Sequence, residues 1–175
     1  RHYSSDWRRR NRRQRTSSQD RNTDGSIAIF FLLKKKTVML VSDKMVREIG
    51  LTKKLETSLK NANINLVVFD EVCPNPTSEN VEKGVLLYNK TKCEAIIAFG
   101  GGSPIDCAKA IGARIVRPKK SLKQLKGILK VGRKLPTLFT VPTTAGTGSE
   151  TTITSVISDS VTHEKYTIND FKLVP

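Results

Sequence analysis

Histidine is almost missing from this chain: His2 and His163 are the only two in 175 residues. A metal centre built from several imidazoles is therefore excluded within these residues. Cysteine is also sparse. Cys73, Cys93 and Cys107 are odd in number and lack C-x-x-C spacing, which excludes a disulfide scaffold and fits the thiols of a reducing compartment, the cytoplasm. No apolar run approaches the roughly 20 residues of a membrane-crossing helix, so no membrane partner is expected.

Acidic residues are the other shortage, 16 against 31 Lys and Arg, for a net charge of +15. The excess is local. Residues 1–25 hold eight arginines and three aspartates, and residues 117–134 hold eight Lys or Arg and no acid. The rest is nearly neutral, which argues for two basic segments rather than a domain-wide nucleic-acid surface.

A chain of this length with 37% hydrophobic residues suits one domain with a real core. Residues 1–25 are Arg- and Ser-rich with no apolar period, the composition of a disordered leader. The chain opens on Arg rather than Met and so reads as a fragment or a processed product. A transit peptide would share the Arg and Ser content, but Asp6, Asp20 and Asp24 count against it; an RNA-binding arm is an alternative.

From residue 26 onward, apolar runs alternate with helical patterns. Ile27–Leu33, Thr37–Val41, Asn63–Phe69, Ala95–Phe99 and Thr137–Val141 have strand length. Leu51, Leu55 and Leu59 form a helical stripe, as do Val81, Val85 and Tyr88 within Glu79–Tyr88. Leu122, Leu125 and Leu129 predict an amphipathic helix over Pro118–Lys134 with a solvated basic face. Residues 152–158 alternate as a further strand. Strand-then-helix order predicts an α/β domain with a mainly parallel sheet, in which ligands sit at the carboxyl ends of strands.

The stretch that organises the chain is Ala95–Lys109. Strand residues 95–99 run into Gly100-Gly101-Gly102, where the backbone is free of Cβ atoms. Ser103 is expected as the N-cap, Pro104 as the first helical residue and Asp106 as the third after the cap. Such a helix start suits a phosphate, although the spacing is not G-x-G-x-x-G. Asp43 follows another strand. Residues Thr143–Ser149 carry four hydroxyls and two glycines, more than a turn requires. A carboxylate, a phosphate-sized turn and a hydroxyl loop are what a dinucleotide needs.

With Gly-Gly-Gly-Ser-Pro-Ile-Asp-Cys-Ala-Lys at 100–109 and Pro-Thr-Thr-Ala-Gly-Thr-Gly-Ser-Glu at 142–150, the chain resembles the iron-containing (group III) alcohol dehydrogenases. Val41–Lys44 and Phe69–Thr77 match in the same order, and the resemblance runs from Thr37 to Pro175. It implies a dehydroquinate-synthase-like fold whose N-terminal α/β domain, here residues 26–175, binds NAD. It also implies that Asp43 holds the adenosine ribose and Asn75 makes an adenosine-side contact. Gly101, Gly102, Ser103 and Asp106 fall on the pyrophosphate turn, Thr143, Thr144 and Thr147 on the hydroxyl loop, Val156 on the cofactor pocket and Lys165 near the nicotinamide ribose. The family's divalent metal, iron or zinc, is held by one Asp and three His in a helical domain beyond the position of Pro175, so no metal or catalytic residue is expected here. The opening strand, glycine loop and helix of the family have only Ile27–Leu33 as a counterpart. His163 reads as a surface residue.

The implied activity is hydride transfer between NAD(H) and a primary alcohol, a diol or an aldehyde, in an enzyme that is a homo-oligomer when complete. A glycerol-dehydrogenase-like polyol oxidoreductase and a non-enzymic nucleotide- or RNA-binding module are the alternatives.

Overall fold

The apolar runs of the sequence pair with one another. In the computed structural model, which describes residues 35–175, strands β1 (Thr37–Val41), β2 (Asn65–Phe69), β3 (Ala95–Gly100) and β5 (Thr137–Pro142) form one sheet in the order β2-β1-β3-β5. Every pairing is parallel, with Val38 opposite both Leu66 and Ala95, and Ala95 opposite Thr137. A parallel sheet covered on both faces needs uninterrupted apolar strands. The central strands supply them: all six residues of β3, and Val38 to Val41 of β1, are buried. The leader and Ile27–Leu33 lie outside the described residues.

The connections are helical. Between β1 and β2 run α1 (Lys44–Glu48) and α2 (Lys53–Asn61), which buries Leu55 and Leu59. Leu51 stands outside this helix and is 48% exposed, because Gly50 turns the chain at φ +82° just before it. α3 (Ser78–Lys90) buries Val81, Val85 and Tyr88 as the spacing predicts. Its Gly84 lies against Ile111 of α4 (Gly102–Val116), and a Cβ there would overlap the Ile111 side chain. The two helices pack at a distance set by that missing atom.

Residues 118–134 are not one helix. Ser121 and Gln124 form a capping box around the single turn α5 (Leu122–Leu125). Gly127 at φ +101° and Leu129 at φ +54° then leave the helical path. Leu122 and Leu125 are buried while Leu129 is exposed, so the leucine spacing held for one turn only. The chain continues as β4 (Gly127–Ile128), which joins β6 (Thr154–Ser158) and β7 (Lys165–Asn169) in a second sheet of order β4-β7-β6. β7 has no counterpart in the sequence reading. Its buried Tyr166 and Ile168 alternate with exposed Lys165 and Thr167, a period-2 signal in only five residues. His163 is exposed in the turn between β6 and β7.

Candidate functional site

The carboxyl ends of β1 and β3 lie side by side, pinned by Ser42 Oγ donating to the Phe99 carbonyl at 2.8 Å. The chain after β1 turns into α1 through Asp43, whose Oδ1 accepts from the Val46 N–H at 2.9 Å. The turn after β3 is built differently. Gly100 adopts φ +145°, and a Cβ there would meet Pro104 Cγ at 2.8 Å and Asp43 Oδ2 at 3.4 Å. Gly101, not Ser103, is the N-cap of α4, and it has no side chain to offer the helix. Ser103 is already helical, and its Oγ accepts from the Asn75 N–H at 3.3 Å instead of capping. A helix start leaves its first N–H groups without helical acceptors. Those of Gly102 and Ser103 are therefore aimed out of the sheet edge, next to a residue that cannot cap them.

The loop after β5 folds over this turn. Thr143 N–H donates to the Gly100 carbonyl at 2.9 Å. Thr144 Oγ1 lies 3.2 Å from where a Gly101 Cβ would stand, and Ser149 Oγ lies 3.2 Å from the equivalent point on Gly102. Thr147 is 3.7 Å from that second point. Hydroxyls thus occupy the space that larger residues at 101 and 102 would claim.

Beside the turn opens a groove of about 500 Å³, within the size range of ligand clefts. It brings together Asp43, Gly101, Gly102, Ser103, Thr143 and Thr144, with Met45, Val72 and Pro74 as apolar wall. A second groove of about 420 Å³ continues past Val72 and Cys73 to Asp70 and Glu71. Asn75 and Lys165 line neither groove; Asn75 stands at φ +55°, its Oδ1 accepting from Lys165 Nζ at 2.8 Å. That contact joins the loop after β2 to the second sheet.

Asp106 does not line the groove. Its Oδ2 accepts from the Val156 N–H at 3.2 Å, its carbonyl accepts from Ser155 Oγ at 2.7 Å, and Ser149 adds a side-chain hydrogen bond. Burial pushes its carboxyl above the usual range, opposed by the Val156 N–H, by Lys109 and by Ser149. Val156 faces Asp106 through its backbone. Lys109, which the sequence reading quoted without assigning, is fully buried, and its Nζ donates to the Thr152 carbonyl at 2.6 Å and to the Thr154 carbonyl at 3.2 Å. The available signal was a lone lysine among Cys107, Ala108, Ala110 and Ile111. Among the described residues, no group of three His, Cys, Asp or Glu could hold a metal ion.

Residues 26–175 match the family described as iron-containing alcohol dehydrogenase. The chain belongs to that family. The 1,3-propanediol dehydrogenase of Citrobacter freundii is 40% identical over 146 residues, 82% of this chain and 38% of that protein. The NAD-dependent methanol dehydrogenase of Bacillus methanolicus is 31% identical over 140 residues, 80% of this chain and 36% of that protein. A crystal structure of 1,3-propanediol oxidoreductase superposes with a TM-score of 0.81 at 36% identity, covering 85% of this chain and 38% of that one. The chain therefore spans under two fifths of the length of these relatives, and its fold is the dehydroquinate-synthase-like fold of iron-containing alcohol dehydrogenases.

Proposed function

We propose that residues 26–175 are the NAD(H)-binding domain of a cytoplasmic, homo-oligomeric alcohol dehydrogenase acting on a primary alcohol, a diol or the corresponding aldehyde. The observation that carries this reading is the uncapped start of α4 beside a groove at the carboxyl edge of a parallel sheet. A pyrophosphate placed there receives the Gly102 and Ser103 N–H groups and the positive end of the helix. Thr143, Thr144 and Thr147 hold the same ligand from the opposite side. Asp43 keeps Oδ2 free of the α1 cap and accepts from a ribose 2′-hydroxyl, as the acidic residue does in dinucleotide sites. Asn75 and Lys165, already in contact, close over the groove. Val156 and Asp106 back the loop.

The nicotinamide ring, when bound, accepts or donates the hydride. This chain's own residues orient the dinucleotide and hold its phosphates. The family's metal finds no ligand set among the described residues, and no step is assigned to it here. The match over residues 26–175 does not favour the RNA-binding alternative.

The test is calorimetric titration of the full-length protein with NADH and NADPH. NADH is expected to bind several-fold more tightly, because a 2′-phosphate with a charge approaching −2 would face Asp43. Failure to bind either cofactor would sink the reading.

A further inference from the structure

Lysine is almost never fully buried unless paired, yet Lys109 is completely buried and makes its hydrogen bonds to carbonyls and a hydroxyl, with the Asp106 and Glu150 carboxylates acting on it only through their charge. Its three donors have three acceptors: the Thr152 carbonyl at 2.6 Å, Thr152 Oγ1 at 3.2 Å and the Thr154 carbonyl at 3.2 Å. Asp106, one turn earlier on the same face of α4, takes the Val156 N–H, and its carbonyl takes the Ser155 hydroxyl. Two residues of one helix therefore grip this stretch: the Lys109 side chain holds 152 and 154, the Asp106 carboxylate holds 156, and the Asp106 carbonyl holds 155. These residues carry the chain away from the hydroxyl loop. The loop's other end is fixed to the same β3–α4 unit by Thr143 N–H on the Gly100 carbonyl at 2.9 Å.

We propose that Lys109 is a positioning residue: with Asp106 it latches the departing end of the hydroxyl loop to α4 and so sets the height of Thr144 and Thr147 above the glycine turn. The proposal rests on the reading of the groove as a dinucleotide site. Lys109 touches no ligand. It acts through the backbone of 152–154, and both ends of the loop thereby move with the helix whose N–H groups face the phosphates. A neutral residue in its place would take the ammonium donor from the carbonyls of 152 and 154, leave the latter only the long Thr152 hydroxyl contact at 3.5 Å, and free the loop at one end only. The adenosine side of the groove, built by Asp43, Val72 and Pro74, would keep its shape.

That asymmetry supplies the test. In the full-length protein, Lys109→Met is compared with wild type for binding of NADH and of adenosine 5′-monophosphate, alongside thermal unfolding. NADH affinity is expected to fall at least tenfold while the monophosphate binds within twofold of wild type. Thr152→Ala, which trims one acceptor at an exposed position, should lower NADH affinity about threefold and decides the matter should Lys109→Met not fold. Unchanged NADH binding in whichever variant folds would overturn the proposal. So would equal losses for the two ligands, the pattern of a general structural role. A wild type that binds no NADH would instead bring down the cofactor reading and the latch with it.

Discussion

Asp43 and Gly101 occupy equivalent places, each the N-cap of a helix that leaves the carboxyl end of a central strand. After β1 the cap is an acid that satisfies the Val46 N–H and still holds a second oxygen toward the groove. After β3 the cap is a residue with no side chain, and the helix keeps its free donors. A glycine N-cap is worse than an acidic one by roughly a few tenths of a kcal/mol, so α4 forgoes a little stability that α1 keeps. The difference teaches that a site can be built by withholding a local interaction: one turn caps its own helix, and the other leaves the first N–H groups of its helix without a cap. The pair also sorts charge, with a carboxylate at one turn and positive helix-end character at its neighbour, the arrangement the proposed dinucleotide site uses for ribose hydroxyls and phosphates.

The comparison breaks most visibly at Gly100. Replacing it with Ala places a Cβ against Pro104 at a φ that L residues rarely adopt, and strain plus overpacking should cost about 2–4 kcal/mol. Urea unfolding would show this as a lowered midpoint. Gly102→Val leaves the helix intact, since Gly102 is helical, but drives Ser149 and Thr147 outward. NADH affinity should fall tenfold or more, as expected when one or two hydrogen bonds to a charged group worth about 1.5–3 kcal/mol each are lost. Calorimetry with circular dichroism as a folding control checks it, and tight binding by a folded variant would make the turn merely a turn.

A subtler change sharpens the other side. Asp43→Asn keeps a good N-cap and removes the charge, so stability should hold while the preference for NADH over NADPH narrows by about 1 kcal/mol, roughly fivefold. The smallest effect concerns Asp106. Burial raises its carboxyl pKa in the folded chain, so the folded state keeps this proton to higher pH than the unfolded state does. Ionising it therefore removes stability as pH climbs from the unfolded carboxylate range through the folded pKa. Asp106→Asn should gain on wild type over that window and run parallel above it, as read from urea midpoints between pH 4 and 7.

The sheet was legible because each buried strand is a contiguous apolar run with polar ends, and parallel burial leaves no alternation to misread. The helix start was legible to within two residues. Ser103-Pro104 carries every local sign of a cap, but Gly101, two residues ahead, takes that role, and Ser103 Oγ accepts from the Asn75 N–H instead. No local rule could weigh a partner 28 residues away. The 118–134 segment misled for a related reason. Leucines at helical spacing fit any structure that touches the core once per turn, and Gly127 and Leu129 change backbone region without changing that spacing. Asp43, the glycine turn and Thr143–Thr144 could be gathered from strand ends alone. Lys165 reaches Asn75 only because β7 lies across β6, and β7 was not seen.

Gly84 carries a consequence for how this sequence can drift. The contact between α3 and α4 uses an absent atom on one side and the Ile111 side chain on the other. Gly84→Ala alone collides and Ile111→Val alone hollows the contact, but the two together exchange the Ile111 Cδ1 methyl for a Cβ methyl across the same boundary. Positions 84 and 111 are thus free to change as a pair and held still when they change singly, which ties the seat of α4 to a residue of α3 that lines neither groove.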